Sequence, residues 1–360
     1  GYGVYGQRYA ADGSTLGGEF QVNTTTTQNQ EFPSAAMDEA GNFVVTWMSW
    51  DQDGSGYGVY GQRYAADGST LGGEFQVNTT TASHQVYPSV AMDDAGNFVV
   101  TWSSLGRDGS GYDVYGQRYA ANGSALGGEF QVNMTTHEDQ NYASVAMDDA
   151  GNFVVTWTSF LQDGGGYGGY GQRYAADGSA LGGEFPVNAT TTENQLYASV
   201  AMDDAGNFVV TWTSFLQDGS GWGVYGRRYA PDGSDMSGEF QVNTTTNNHQ
   251  MIEGWTGATF VGMSDSGDFV VTWQSSGQDG SGWGVFAQRF TFAQSLSENS
   301  APTANAGADQ TVGEGKAVLL SGAVYRSGLG RQPHAGLERA GRQWPADPRW
   351  FRCDVRLHAE

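Results

Sequence analysis

Aromatic residues recur in this chain at a fixed interval. Tyr2, Tyr57, Tyr112, Tyr167 and Trp222 are spaced by 55 residues, as are Trp47, Trp102, Trp157 and Trp212. Phe20, Phe75, Phe130, Phe185 and Phe240 keep the interval throughout, whereas Trp273 and Trp283 follow their predecessors after 61. The six extra residues therefore fall between Phe240 and Trp273. A repeat of this length is one supersecondary unit whose apolar faces are covered by its neighbours, so the fold must be read from the array and not from one copy.

Each unit contains four strand-like runs, called a, b, c and d. In the second unit they are YPSVAMD (87–93), GNFVVTW (96–102), YDVYGQRYA (112–120) and EFQVN (129–133). Run b places Phe98, Val100 and Trp102 on one face and Val99 and Thr101 on the other, the two-residue period of a strand, with β-branched residues that favour it. The connections DDAGN, RDGSG and AANGSALGG are rich in Gly, Asp and Asn, which supply positive φ and side-chain turns, so antiparallel hairpins follow. No helical periodicity of useful length occurs in residues 1–300.

Four short antiparallel strands per unit are the mark of a propeller blade. The expected fold is therefore an all-β β-propeller of four-stranded antiparallel blades, spanning residues 1–293. Blades covered on both sides explain a run b that is apolar on both faces, and Trp102 and its copies should fill the gaps between blades. A β-solenoid is the competing repeat fold, and three hairpin turns per unit argue against it. The chain supplies runs c and d (1–24), four full units ending near Thr246, and a further a, b and c (257–292). Five blades could close with the d run of residues 19–23, but run c at 2–10 is then surplus. The expectation is five to seven blades, with completeness of the ring left open.

Charge narrows the function classes. The chain carries 16 Lys+Arg against 39 Asp+Glu, a net charge of −23. Residues 1–300 contain eight Arg and no Lys against 33 acids. Phosphate would repel such a surface, so nucleic acid is not an expected partner, and anionic membrane surfaces are disfavoured for the same reason. No stretch is long and apolar enough to span a bilayer, so membrane insertion is not expected. Cys353 is the sole cysteine, so the repeat region has no disulfides. A thiol-free, lysine-free, acidic body suits an exported bacterial protein and equally a salt-adapted one. The chain starts with Gly1 in mid-unit and reads as a fragment.

The motifs VYGQRYAADGS (4–14), GEFQVN (18–23) and GNFVVTW (41–47) resemble those of large secreted or surface repeat proteins of bacteria. That resemblance covers residues 1–293 and implies an extracellular or cell-surface location and a propeller-like architecture. DDAGNF (93–98) also resembles the Asp-box hairpin of sialidase-like propellers, with its leading Ser spacing and Thr-Trp ending displaced. After a linker at 294–300, APTANAGADQTVGEGKAVLLSGA (301–323) resembles the opening of a PKD-type immunoglobulin-like domain. Residues 324–360 depart from that pattern. They hold seven Arg in 35 residues (326–360) and read as a frame-shifted or disordered tail, in which Cys353 and His334 carry no function.

Few constellations point to chemistry. His84, His137 and His249 lie in d–a connections with no second His or Cys at metal-ligand spacing. An Arg recurs in every c run (Arg8, Arg63, Arg118, Arg173, Arg228, Arg289). A residue repeated in each blade meets a structural need of each blade, and pairing with Glu19 or Glu74 is expected. DQDGSG (51–56) has the alternating carboxylates of a Ca²⁺ loop, which makes Asp51 and Asp53 the metal candidates. Its copies keep a single Asp, however, and an Asp-Gly hairpin explains every copy. The DD pairs, such as Asp93 and Asp94, sit at turns where neighbouring residues point apart. Asn23, Asn78, Asn133, Asn188 and Asn243 open N-x-T sequons, and capping of a turn explains their recurrence.

The variable segments are the d–a loops and the b–c tips, which emerge on the same face of a propeller, where variable loops carry recognition. That face should carry Trp50, Tyr57, Tyr112, Phe160, Tyr167, Phe215, Trp222 and Trp283, aromatic platforms that suit sugar rings. The alternative is that this Tyr and Trp set packs between blades. The expected function is a non-catalytic extracellular binding or adhesion module for polysaccharide or cell-surface glycan, and not an enzyme. The rivals are a structural spacer and a glycan-active hydrolase or lyase. An enzyme needs a non-repeated acid or Tyr in the central pocket, and the sequence nominates none outside the irregular last unit (Glu253, Trp255, Asp265, Asp268).

Overall fold

The computed structural model describes residues 1–252 and 260–291. The expected linker, PKD-like start and tail, together with Glu253 and Trp255, lie outside the described residues.

The described chain is an all-β propeller built from the 55-residue units. Four blades each hold four antiparallel strands in the order a-b-c-d. Strand a spans Gln30–Met37, Gln85–Met92, Gln140–Met147 and Gln195–Met202. Strand b spans Phe43–Trp50, Phe98–Leu105, Phe153–Phe160 and Phe208–Phe215. Strand c spans Tyr57–Tyr64, Tyr112–Tyr119, Tyr167–Tyr174 and Trp222–Tyr229. The last described blade splits strand a into Gln250–Met251 and Val261–Met263, followed by Phe269–Ser276 and Trp283–Phe290. At the other end a c–d pair, Tyr5–Gly6 with Phe20–Gln21, stands beside the first full blade. Strand d is shorter than EFQVN implies: in three blades it pairs over two residues, such as Phe130–Gln131, after which the Val132 N–H bonds the Val114 carbonyl at 2.8 Å and Asn133 caps the Val114 N–H with its side chain. The strands a of consecutive blades lie side by side and form the inner layer.

Successive blades pack as the repeat demands. One blade offers Val44, Val59 and Val77, and the next seats Phe98, Val100, Trp102, Tyr115 and Tyr119 against them. Trp47, Trp102, Trp157 and Trp212 are fully buried. The last described blade presents Val270 and Val285 at the positions of Val44 and Val59, and they are 37% and 76% exposed where their counterparts are buried.

Hydrogen bonds repeat with the sequence. At the a–b turn of each of the four full blades the first Asp clasps the Asn four residues on. Asn97 donates its backbone N–H to Asp93 Oδ1 at 2.7 Å and its side-chain amide to Oδ2 at 2.9 Å. The sequon Asn is buried: Asn78 Oδ1 accepts the Val59 N–H at 2.7 Å, and its amide donates to the Thr80 carbonyl at 2.9 Å. This is the turn cap expected of it.

The strand-c Arg does not pair with the strand-d Glu. Arg63 donates to the Ala121 carbonyl of the next blade at 2.6 Å, and Arg8, Arg118 and Arg173 make the equivalent bond. The last one, Arg289, pairs with Asp268. Glu74 instead binds the preceding d–a loop, through the Thr24 N–H at 2.6 Å, and accepts from Gln52 at 2.6 Å. The expectation failed because Glu74 finds unpaired N–H groups nearby, while Arg63 reaches a bare carbonyl across the blade gap.

Candidate functional site

In the four full blades strand a begins with Gln-x-Tyr or Gln-x-Phe and then breaks register. The shift lies between Glu31 and Ser34, Val86 and Ser89, Asn141 and Ser144, and Leu196 and Ser199. At this bulge Phe32, Tyr87, Tyr142 and Tyr197 have φ of 55°, 56°, 58° and 60°. An aromatic residue in the left-handed region costs on the order of 1–3 kcal/mol, a strain that tends to mark a site. At two of the four bulges the preceding blade adds a brace: Tyr142 and Tyr197 donate their N–H to Ser103 Oγ at 3.2 Å and Thr158 Oγ1 at 2.9 Å.

The bulge brings the four rings into edge-to-face and tilted contact along the inner layer. Phe32 and Tyr87 have centroids 5.5 Å apart, Tyr87 and Tyr142 5.2 Å, and Tyr142 and Tyr197 5.1 Å. All four are partly exposed. This aromatic collar lies at the end of the blades where the d–a and b–c loops meet.

The aromatic residues expected from the sequence flank it. Trp50 and Tyr57 pair across strands at 4.8 Å, Phe160 and Tyr167 at 4.7 Å, and Phe215 and Trp222 at 4.9 Å. Tyr112 lies opposite Leu105, and Trp283 stacks with His249 at 6.4 Å. Trp50 is 39% and Trp283 53% exposed, and the other six are partly buried. Tyr112, Tyr167 and the collar tyrosines interact electrostatically. Burial raises the Tyr142 phenol, and Tyr87, Tyr197, Tyr167 and Tyr112 add to the shift.

The collar also holds a carboxylate that is not repeated. Glu31 corresponds to Val86, Asn141, Leu196 and Met251. The Tyr57 hydroxyl donates to Glu31 Oε2 at 3.1 Å. Burial, and then the Glu31 charge, push Tyr57 up to about 12, and the same causes raise Tyr87. A second carboxylate, Asp139, accepts the Tyr112 N–H at 2.9 Å and helps raise Tyr112 and Tyr167, after burial. Glu31 escaped sequence reading because it sits one residue inside strand a, beyond the variable loop. Tyr87, Tyr142 and Tyr197 could have been found from their 55-residue interval.

Two further carboxyl groups titrate abnormally. Asp149, at an a–b turn, is pushed up to about 6 by burial, by Asp204 and Asp94, and by a hydrogen bond with Asp94. Asp113 replaces the Gly58, Gly168 and Gly223 of other blades. Burial raises it to about 7, with a contribution from a hydrogen bond to Asp108, and its Oδ1 accepts from Asn133 at 2.8 Å. The expected division of the DD pairs holds: Asp148 clasps Asn152, while its neighbour Asp149 joins the acidic group.

Asp51 takes φ of 57° in its turn, and Asp53 binds the Ser55 N–H at 3.1 Å and the Gln76 amide at 3.0 Å. Among the described residues no three metal-binding side chains converge. No helix among them is long and apolar enough to cross a membrane.

No protein-family model matches the sequence, and no curated protein does. Solved structures do. A protein of unknown function from Dyadobacter fermentans has a TM-score of 0.51 at 11% identity, covering 75% of this chain and 81% of its own. A Penicillium chrysogenum α-L-arabinanase, solved with arabinobiose, has 0.48 at 12% identity, covering 72% and 81%. A polysaccharide lyase, solved with an ulvan fragment, has 0.44 at 13% identity, covering 73% and 71%. At such identities the likeness is one of fold.

The expectation of a non-catalytic module is nevertheless corrected. An enzyme reading needs a non-repeated acid, and the collar contains one, Glu31, that the sequence did not nominate.

Proposed function

We propose that the chain is a glycan-active enzyme that acts on polysaccharide outside the cell, with the aromatic collar as its substrate site. One observation carries the reading: a non-repeated carboxylate, Glu31, held by the Tyr57 hydroxyl next to a run of strained aromatic residues. Rings at this spacing offer flat apolar faces to the CH side of a sugar, and their hydroxyls and Asp139 offer partners to the sugar hydroxyls. Glu31 is the proton-transfer group. Tyr57 fixes its orientation, and Asp139 adds a carboxylate at the same end of the blades, where it accepts the Tyr112 N–H. The description of a similar fold as an arabinanase bound to arabinobiose is compatible with this reading. The thiol-free, acidic repeat region supports an extracellular setting.

The test is release of reducing ends from a panel of polysaccharides. Wild type should release them, and Glu31→Gln should be slower by about 10²–10⁴, the usual contribution of a positioned acid or base, without a lower melting temperature. A folded wild type inert on the whole panel would overturn the proposal.

A further inference from the structure

We infer that the collar takes electrically neutral saccharide chains and turns away chains that carry uronate, so that its chemistry is hydrolysis and not elimination. The inference rests on the glycan-active reading and specifies its substrate class.

The recurrent arginines lie away from the collar. Arg8, Arg63, Arg118 and Arg173 lie at the far ends of strands c, where each donates to a carbonyl of the neighbouring blade. Among the described residues the d–a and b–c loops contain one cationic residue with a permanent charge, Arg107. It is already committed: Arg107 pairs with Glu129 at 2.6 Å and lies 3.9 Å over the Tyr115 ring. The same loops carry Glu138, Asp139 and Glu193 immediately before strands a, and Glu31 lies just inside one. This negative field reaches the rings, since Glu31 raises Tyr57 and Tyr87, and Asp139 raises Tyr112 and Tyr167. A uronate in the collar would meet like charge in a partly desolvated site, where repulsion is stronger than in water.

The chemistry points the same way. In elimination from a uronate, a base removes the C5 proton, the C4–C5 double bond forms, the C4–O bond breaks and the leaving oxygen gains a proton. The adjacent carboxylate must be neutralised for C5 to release its proton, and these loops supply no uncommitted Arg or Lys for that task. Hydrolysis has no such requirement. One acid protonates the glycosidic oxygen as the C1–O bond breaks, and water adds to C1 after giving its proton to a carboxylate. A neutral chain presents hydroxyls, which carboxylates and phenols bind well.

Affinity electrophoresis of the whole chain tests this with arabinan and xylan as neutral probes and polygalacturonate and alginate as uronate probes, in 20 and 500 mM NaCl. At least one neutral polymer should retard the protein equally at both salt levels, and neither uronate polymer should at 20 mM. The Glu138→Lys/Glu193→Lys double variant should gain retardation by polygalacturonate that is lost at 500 mM. Tighter binding of a uronate polymer than of any neutral one by wild type, or no gain in the double variant, would overturn the charge selection while leaving the glycan reading in place. Retardation by neither class would remove the glycan reading and the selection together.

Discussion

At the end of the blades that carries the a–b and c–d turns, successive copies spend the same residues on the same bonds. Asp38, Asp93, Asp148 and Asp203 clasp Asn42, Asn97, Asn152 and Asn207. Arg8, Arg63, Arg118 and Arg173 reach the same carbonyl of the next blade. At the opposite end the copies diverge. Glu31 becomes Val, Asn, Leu and Met, and the residue before Gln30, Gln85 and Gln140 changes from Asn29 to His84 to Asp139. The contrast separates two uses of a repeat. Identical bonds hold wedge to wedge, and the departures from identity collect where four strained aromatic residues meet.

The largest effect that would break this comparison is catalytic. Glu31→Gln should lower turnover by about 10²–10⁴ and leave the melting temperature within a degree or two, as reducing-end release and calorimetry would report. Loss of stability with little change in rate would make Glu31 a structural residue. Next is the blade gap: Trp157→Ala should cost about 3–5 kcal/mol, as large buried aromatics do, and denaturant midpoints would show it. A cost near zero would mean that the wedges do not support one another.

A smaller effect is expected at the conserved clasp. Asp148→Ala leaves the Asn152 N–H and amide without their acceptor and should cost about 1–3 kcal/mol, with activity per folded molecule unchanged. The smallest concerns pH. Asp113 is raised to about 7 in the folded chain, against about 3.9 unfolded. The unfolded chain therefore loses this proton first as pH rises, and Asp113 removes stability progressively between about pH 4 and pH 7. Asp113→Asn should reduce the fall in melting temperature between pH 5 and pH 8, and an unchanged difference would show that Asp113 ionises normally.

Much of the fold was readable from the sequence because it rests on interval and alternation. The period of 55, the two-faced run b and the Gly- and Asp-rich turns all follow from local chemistry, and the burial of Trp102 between blades follows from the repeat. The collar was less accessible. Gln-Val-Tyr and Gln-Asn-Tyr read as ordinary strand residues, and nothing in those letters shows that Tyr87 and Tyr142 take a positive φ. At Tyr142 and Tyr197 a hydroxyl of the neighbouring blade braces that conformation, while Tyr87 takes it with Met48 at the equivalent position. Glu31 was passed over because one acid among Val, Asn, Leu and Met looks like drift until Tyr57 is seen to bind it. The partner of Arg63 was misjudged for the same reason: its acceptor belongs to the following unit, 58 residues away.

The most direct measurement is a crystal structure of the Glu31→Gln chain soaked with a neutral oligosaccharide. Sugar rings stacked on Tyr87 and Tyr142, with a glycosidic oxygen within hydrogen-bond reach of residue 31, are the expected result. An oligosaccharide ordered only on the outer edges of the blades, with the collar left to solvent, would contradict the account.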